Sequence, residues 1–231
     1  MLLEAYRDLK YLLNRGYRKS VALNFVANHH RLRKEERYLL ARCVFSDSWI
    51  EEVRRKLLSP GEVKGREIGI DGFNVLITLE SLLEGKAILC EDGLVRDLKY
   101  QGKYRPHEKT RDYLRLIVSS LAELLPQKVV FFYGKNNPGS GIVRNLTEEL
   151  LAEFGISGEV KLVRSPDFEL KAFETVATAD VGVIEKVKRV FDLARFAGER
   201  AGAKPNPLPD FLKSPGLVRS DRHLNPLGKF L

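Results

Sequence analysis

Apolar residues recur at helical spacing over roughly the first sixty positions, then give way to short apolar runs that end in acidic, glycine or asparagine residues. Two kinds of architecture therefore follow one another along the chain. Leu2, Leu3, Tyr6, Leu9, Leu12 and Leu13 form the stripe of a first amphipathic helix that Gly16 stops. Ser20 is placed to cap a second through Ala22, Phe25 and Val26, Glu35 to Phe45 reads as a third, and a fourth runs from Ser48 to the break at Pro60-Gly61. These four predict a small helical bundle.

Beyond a polar link at Gly61 to Gly65 the period changes. Glu67 to Asp71 predicts a buried strand that turns on Gly72 into a helix over Phe73 to Leu83. Ala87 to Cys90 and Gly93 to Leu98 straddle Glu91-Asp92 as a hairpin-like insertion, and Lys99 to Pro106 is a basic, tyrosine-bearing loop. A helix over Thr110 to Leu125, a central strand KVVFFY at Lys128 to Tyr133 and a helix over Val143 to Phe154 come next. Strands at Glu159 to Val163 and Thr175 to Ala177 follow, the latter leading into a helix over Val181 to Ala197. From Gly202 onward Pro205, Pro207, Pro209, Pro215 and Pro226 predict an extended tail with neither regular helix nor strand. The domains are then residues 1–63, 64–201 and 202–231.

Charge sharpens this division. The formal net charge of +8 splits into +7 over residues 1–66, −2 over 67–197 and +3 over 198–231, a slightly acidic middle between basic ends. That distribution suits presentation of a polyanion to a carboxylate site. No apolar run reaches the roughly 20 residues that span a bilayer, and the start lacks a signal-peptide pattern, so a cytoplasmic protein with no membrane partner is expected. Cys43 and Cys90 show neither CxxC spacing nor a nearby histidine at ligand spacing, which indicates neither a zinc site nor a disulfide framework.

The candidate chemistry is acidic. Asp71, Asp167 and Asp180 each follow a predicted strand, and in a parallel sheet such positions share one rim, although Asp71 is also suited to capping the helix after it. Candidate phosphate contacts are Arg31, Arg33, Lys34 and Arg37 around the second helix–helix connection, with Lys103, Tyr104 and Arg105 in the basic loop. Lys135 and Ser140 lie in GKNNPGSG, whose glycine spacing is not that of a P-loop but which still puts backbone N–H groups at a helix start.

DLKYLLNRGY (Asp8 to Tyr17) and LRKEERYLLARCVFS (Leu32 to Ser46) resemble the N-terminal region of the prokaryotic domain-of-unknown-function family numbered 434. IGIDGFNVL, EDGLVRDL, GKNNPGSG and VATADVGVI are similar to the PIN-like module that accompanies it, and Asp71-Gly72-x-Asn74 resembles the opening of NYN and PIN nucleases. The resemblance implies a PIN-like three-layer α/β/α domain with a mainly parallel sheet, behind the bundle, and a metal-dependent ribonuclease ancestry. It implies Mg²⁺ or Mn²⁺ held by Asp71, Asp180 and Asp167, with Asn74 positioning water or phosphate, and RNA as partner. Asp92 and Asp97 are left out of that ligand set, their run being one that also suits a structural role in the family. Where a PIN-like site carries an acidic residue after the KVVFFY strand, this chain has Gly134-Lys135-Asn136-Asn137. That departure keeps open a second expectation, an RNA- or ribosome-associated protein that binds without cutting.

Overall fold

The computed structural model describes residues 1–98 and 104–213. The helical N-terminal region comprises α1 (Leu2–Asn14), α2 (Lys19–His29), α3 (Lys34–Cys43) and α4 (Asp47–Lys56). There follow β1 (Glu67–Asp71), α5 (Gly72–Leu83), β2 (Ile88–Leu89), β3 (Val95–Arg96), α6 (Thr110–Leu124), β4 (Lys128–Gly134) and α7 (Ser140–Glu153). The chain continues through β5 (Gly158–Val163), α8 (Pro166–Leu170), β6 (Thr175–Ala177), α9 (Val181–Ile184) and β7 (Arg189–Val190). It closes with α10 (Leu193–Arg200), β8 (Asn206–Pro207) and α11 (Leu208–Lys213).

Five strands pair in the order β5-β4-β1-β6-β7, every pair parallel. Side chains alternate across the pleat, so a strand buried on both faces reads as a continuous apolar run. In β4, Val129, Phe131 and Tyr133 enter one core while Val130 and Phe132 enter the other. Helices α5, α6, α7 and α10 cover the first face. The second is covered by α8, α9 and α4, whose Val53 packs with Val130, Phe132 and Val190. This makes a three-layer arrangement around a parallel sheet. Gly69 of β1 faces the second core, where an added Cβ would stand 2.8 Å from Phe173 Cγ, so glycine there lets α8 and the residues after it close onto the strand.

The fourth helix of the expected bundle thus belongs to the sheet's covering layer. Leu57 bridges Val190, Leu58 N–H donates to the Val190 carbonyl at 2.8 Å, and Lys56 Nζ donates to the Ile184 carbonyl at 3.0 Å. Ser46 caps it by accepting from Trp49 N–H. Ser20 lies within the first turn of α2 rather than at its cap, and Arg18 precedes the helix.

Two sequence expectations are corrected. The helix expected over Val181 to Ala197 is broken into α9, β7 and α10. Val187 and Val190 enter the second core, Val190 as part of an edge pairing to β6, while Asp192 starts α10 afresh by accepting from Arg195 N–H at 3.0 Å. The segment expected to lack regular structure contains β8 and α11: Asn206–Pro207 pairs parallel to β2, and Leu208, Phe211 and Leu212 are buried with α1 residues in one cluster. Proline is compatible with an edge strand and with a helix's first turn, which is where Pro207 and Pro209 stand. The loop residues 99–103 and the tail residues 214–231 lie outside the described residues.

Candidate functional site

In the order β5-β4-β1-β6-β7 the connection from β1 leads toward β4 and the later chain returns to β1's other side as β6, so β1 and β6 flank the switch point. Parallel sheets bind their ligands in the crevice at the carboxyl ends of such a pair. Asp71 ends β1 and Asp180 follows β6.

Asp71 is buried and caps α5, its Oδ1 accepting from Asn74 N–H at 3.4 Å and its Oδ2 accepting from Thr178 Oγ1 at 3.1 Å. Asp180 N–H donates in turn to Thr178 Oγ1 at 3.1 Å, so one hydroxyl links the two strand ends. Gly72 follows Asp71 because α5 enters directly against Tyr133: a Cβ there would fall 2.2 Å from Tyr133 Cε1. Asn74 Oδ1 accepts from Ala179 N–H at 2.9 Å. Arg96 Nε donates to the carbonyl of the same Ala179 at 2.9 Å. Both polar groups of the residue before Asp180 are therefore held by side chains from other elements.

Arg96 is itself fixed by a buried bidentate pair, Nη1 and Nη2 each 2.7 Å from an oxygen of Asp92, which also accepts from Trp49 Nε1 at 3.2 Å. The EDGLVRD stretch is in large part a clamp. Glu91 accepts from Tyr6 Oη at 2.7 Å, Lys10 Nζ at 3.2 Å and Phe45 N–H at 2.8 Å, and Arg42 pairs with Asp97 at 3.2 Å. These bonds tie the helical N-terminal region to the turn that carries Asp180.

Asp167 stands in the first turn of α8, just past the end of β5. The three aspartates line one cleft of about 580 Å³ together with Asn74. They sense one another: burial first, then the charges of Asp167 and Asp180, push the Asp71 carboxyl up to about 7 against its two hydrogen bonds. Burial and Asp180 likewise raise Asp167, with Lys171 opposing. Arg105, His107, Asn136, Asn137 and Arg164 line the same cleft, so its walls offer cations and amides as well as carboxylates. Among the described residues no three His, Cys, Asp or Glu side chains stand grouped as a formed metal site.

The other sequence candidates are dispersed. Arg33 pairs with Glu36 at 3.0 Å, and Arg37 spends its guanidinium on the carbonyls of Leu32 and Ala27 and on Asn28, closing the α2–α3 connection. Arg31 is exposed with φ 49°, and Lys34 lines a separate hollow with Arg37 and Tyr38. Tyr104 is buried, its hydroxyl 2.8 Å from Thr110 Oγ1 and its ring packed on Phe73, although one edge reaches the cleft. Lys135 is exposed beside β5, Ser140 is buried at the start of α7, and Lys103 lies outside the described residues. Sequence reasoning passed over Arg164, which the strand-end rule applied to β5 would have found, and Thr178 and Arg96, whose roles depend on contacts far apart in the chain.

Fold and site together define a mixed α/β protein with a parallel five-stranded sheet, a helical N-terminus and an acidic cleft at the switch point. Residues 60–196 match the family model described as Domain of unknown function (DUF5616), and residues 1–56 match the one described as Protein of unknown function (DUF434). The chain is 45% identical over 203 residues to Uncharacterized protein MJ0935 of Methanocaldococcus jannaschii, covering 85% of this chain and 96% of that protein. The chain belongs to the DUF5616 family, with a DUF434 segment in front. No solved structure matches it, and no helix among the described residues is long and apolar enough to cross a membrane.

Proposed function

We propose that the cleft hydrolyses phosphodiester bonds of RNA with the aid of Mg²⁺ or Mn²⁺, as a PIN/NYN-like nuclease module. The observation that carries this reading is the placement of Asp71, Asp167 and Asp180 on one cleft, where Asp71 is pushed up to about 7. Burial is the main cause of that shift and the neighbouring carboxylates add to it; a hard cation among the three would favour their charged forms.

The donor set fits such an ion in chemistry, being carboxylate oxygen throughout. Magnesium is commonly held by one or two carboxylates with water and substrate phosphate completing its shell, so it does not require a group of three protein ligands, and none is formed among the described residues. Asp71 and Asp180 would hold the ion, with Asp167 beside them. When bound, it supplies a lowered pKa for water and charge stabilisation at the scissile phosphate. Arg164 and Arg105 bind phosphate oxygens from across the cleft. Asn74 keeps Ala179, and so Asp180, in place.

Labelled single-stranded and structured RNA incubated with Mn²⁺ should be cut by the wild-type chain, with loss of at least about 100-fold in Asp71→Asn and Asp180→Asn. Equal cutting by both variants and the wild type would mean a contaminant. A second reading, a binding protein that does not cut, is favoured by Asn136 and Asn137 occupying the cleft beyond β4 where an acidic side chain is expected. It predicts RNA affinity that falls steeply with salt and ignores chelator.

A further inference from the structure

Cys43 and Cys90 are far apart in the chain and carry no recognisable spacing. The fold brings them together. Cys43 is the last residue of α3 and Cys90 follows β2, and the backbones meet where Glu91 N–H donates to the Cys43 carbonyl at 3.2 Å. Both side chains are buried in the same apolar cluster, with Phe45 alongside. Cys90 Sγ donates to the Ile88 carbonyl at 3.7 Å, and the two thiols and the Arg96 guanidinium interact electrostatically.

We infer that Cys43 and Cys90 form a reversible disulfide that staples the helical N-terminal region to the Asp92–Arg96 clamp, and through it to the turn bearing Asp180. Burial disfavours either thiolate in the folded chain, while the positive charge of Arg96 favours both.

With a low-molecular-weight disulfide as oxidant, one of the two protein thiolates attacks one of its sulfurs and expels a thiolate. The other protein thiol then gives up its proton and displaces the second small thiol from the mixed disulfide. Two protein thiols are oxidised to one S–S bond, and one small disulfide is reduced to two thiols. Because both sulfurs are buried, the exchange takes place while α3 and the hairpin are apart, during folding or local opening.

The test is an equilibrium. The full chain is refolded from urea in buffers of graded oxidised-to-reduced glutathione ratio, quenched in acid, denatured, alkylated and weighed, and a parallel series is held in urea throughout. A native geometry that brings the sulfurs together should make the intramolecular disulfide about 100-fold or more favourable in buffer than in urea. The oxidised monomer should melt about 10 °C above the reduced one. Cys43→Ser and Cys90→Ser should each carry either one free thiol or one glutathione adduct, never an intramolecular bond, and show no such rise. A preference in buffer equal to or below that in urea overturns the inference, as does an oxidised monomer that melts no higher than the reduced chain. These readouts use neither RNA nor metal, so they stand whether or not the cleft proves to be a nuclease.

Discussion

Replacing Arg96 with methionine isolates the clamp. The side chain is 1% exposed and its partner Asp92 0%, so the change keeps most of the volume while leaving a carboxylate in the interior with Trp49 Nε1 and Leu94 N–H as its remaining donors. Removing one member of a buried pair costs about 3–5 kcal/mol, because the other's desolvation is no longer offset. The Ala179 carbonyl also loses its charged donor, worth about 1–2 kcal/mol. Arg96→Met should therefore destabilise the chain by about 4–7 kcal/mol, a large share of the roughly 5–15 kcal/mol that a folded domain has.

Urea unfolding at neutral pH of the wild type, Arg96→Met, Asp92→Leu and the double variant supplies the measurement. The double variant should be less destabilised than the sum of the singles by about 2 kcal/mol or more, since neither charge is then stranded. Arg96→Lys should recover little, having no planar fork for two Asp92 oxygens and a carbonyl at once. A loss below about 1 kcal/mol for Arg96→Met, or strict additivity in the double variant, would refute the description of Arg96 and Asp92 as one buried unit.

Asp71 should make stability fall with alkali. Its folded carboxyl lies at about 7 against the ordinary 3.8, so the native chain keeps a proton that the unfolded chain releases. The contribution is full below pH 4 and is lost as pH rises through 7; with chelator present, the wild type should lose about 2–3 kcal/mol more than Asp71→Asn between pH 5 and pH 8, read from urea midpoints. Gly72→Ala puts a methyl where Tyr133 Cε1 stands 2.2 Å away and should cost about 1–3 kcal/mol by calorimetry, partly relieved by Tyr133→Leu in the same chain. Asn74→Ala frees the Ala179 N–H and should cost about 1–2 kcal/mol in urea unfolding, whereas an unchanged midpoint would show that this bond does not hold the Asp180 turn.

Elements with a strong local signature were legible in the sequence. The two-sided apolar runs at Glu67–Asp71 and Lys128–Gly134 announce buried parallel strands, and Asp71-Gly72 announces the turn between strand and helix. The segment after Asp180 was not, because Val183, Ile184, Val187, Val190, Phe191 and Ala194 satisfy a helical period while Val187 to Phe191 also satisfies a short edge strand. The capping geometry of Asp192 decides between them. Prolines masked β8 and α11 for a related reason: the residue that forbids a helix interior is permitted at its start. At the site, the strand-end rule placed the aspartates on one rim, but it says nothing of the groups that hold them. Thr178, Arg96 and the Asn74–Ala179 bond join segments whose meeting only the whole fold dictates. Arg37 illustrates the converse, a basic side chain in the first turn of α3 whose guanidinium donates to carbonyls inside the molecule.

The two family segments meet in the middle of the molecule rather than along a linker. Helix α4, from the N-terminal segment, covers the second face of the sheet through Val53, and the clamp from the C-terminal segment reaches back to Tyr6, Lys10, Arg42 and Phe45. Separating them would uncover Val190 and Val176 and leave Glu91 and Asp97 without those donors, because the N-terminal cluster and the second-face core each draw residues from both segments. The net charge of +7 on residues 1–66 is consequently held on a body fixed to the sheet, beside a cleft whose own charge is acidic. If the cleft takes RNA as proposed, a fixed basic body would admit strands whose path bends from the helical face into the cleft, and selection among them would depend on the rigidity of the Asp92–Arg96 clamp as much as on the three aspartates.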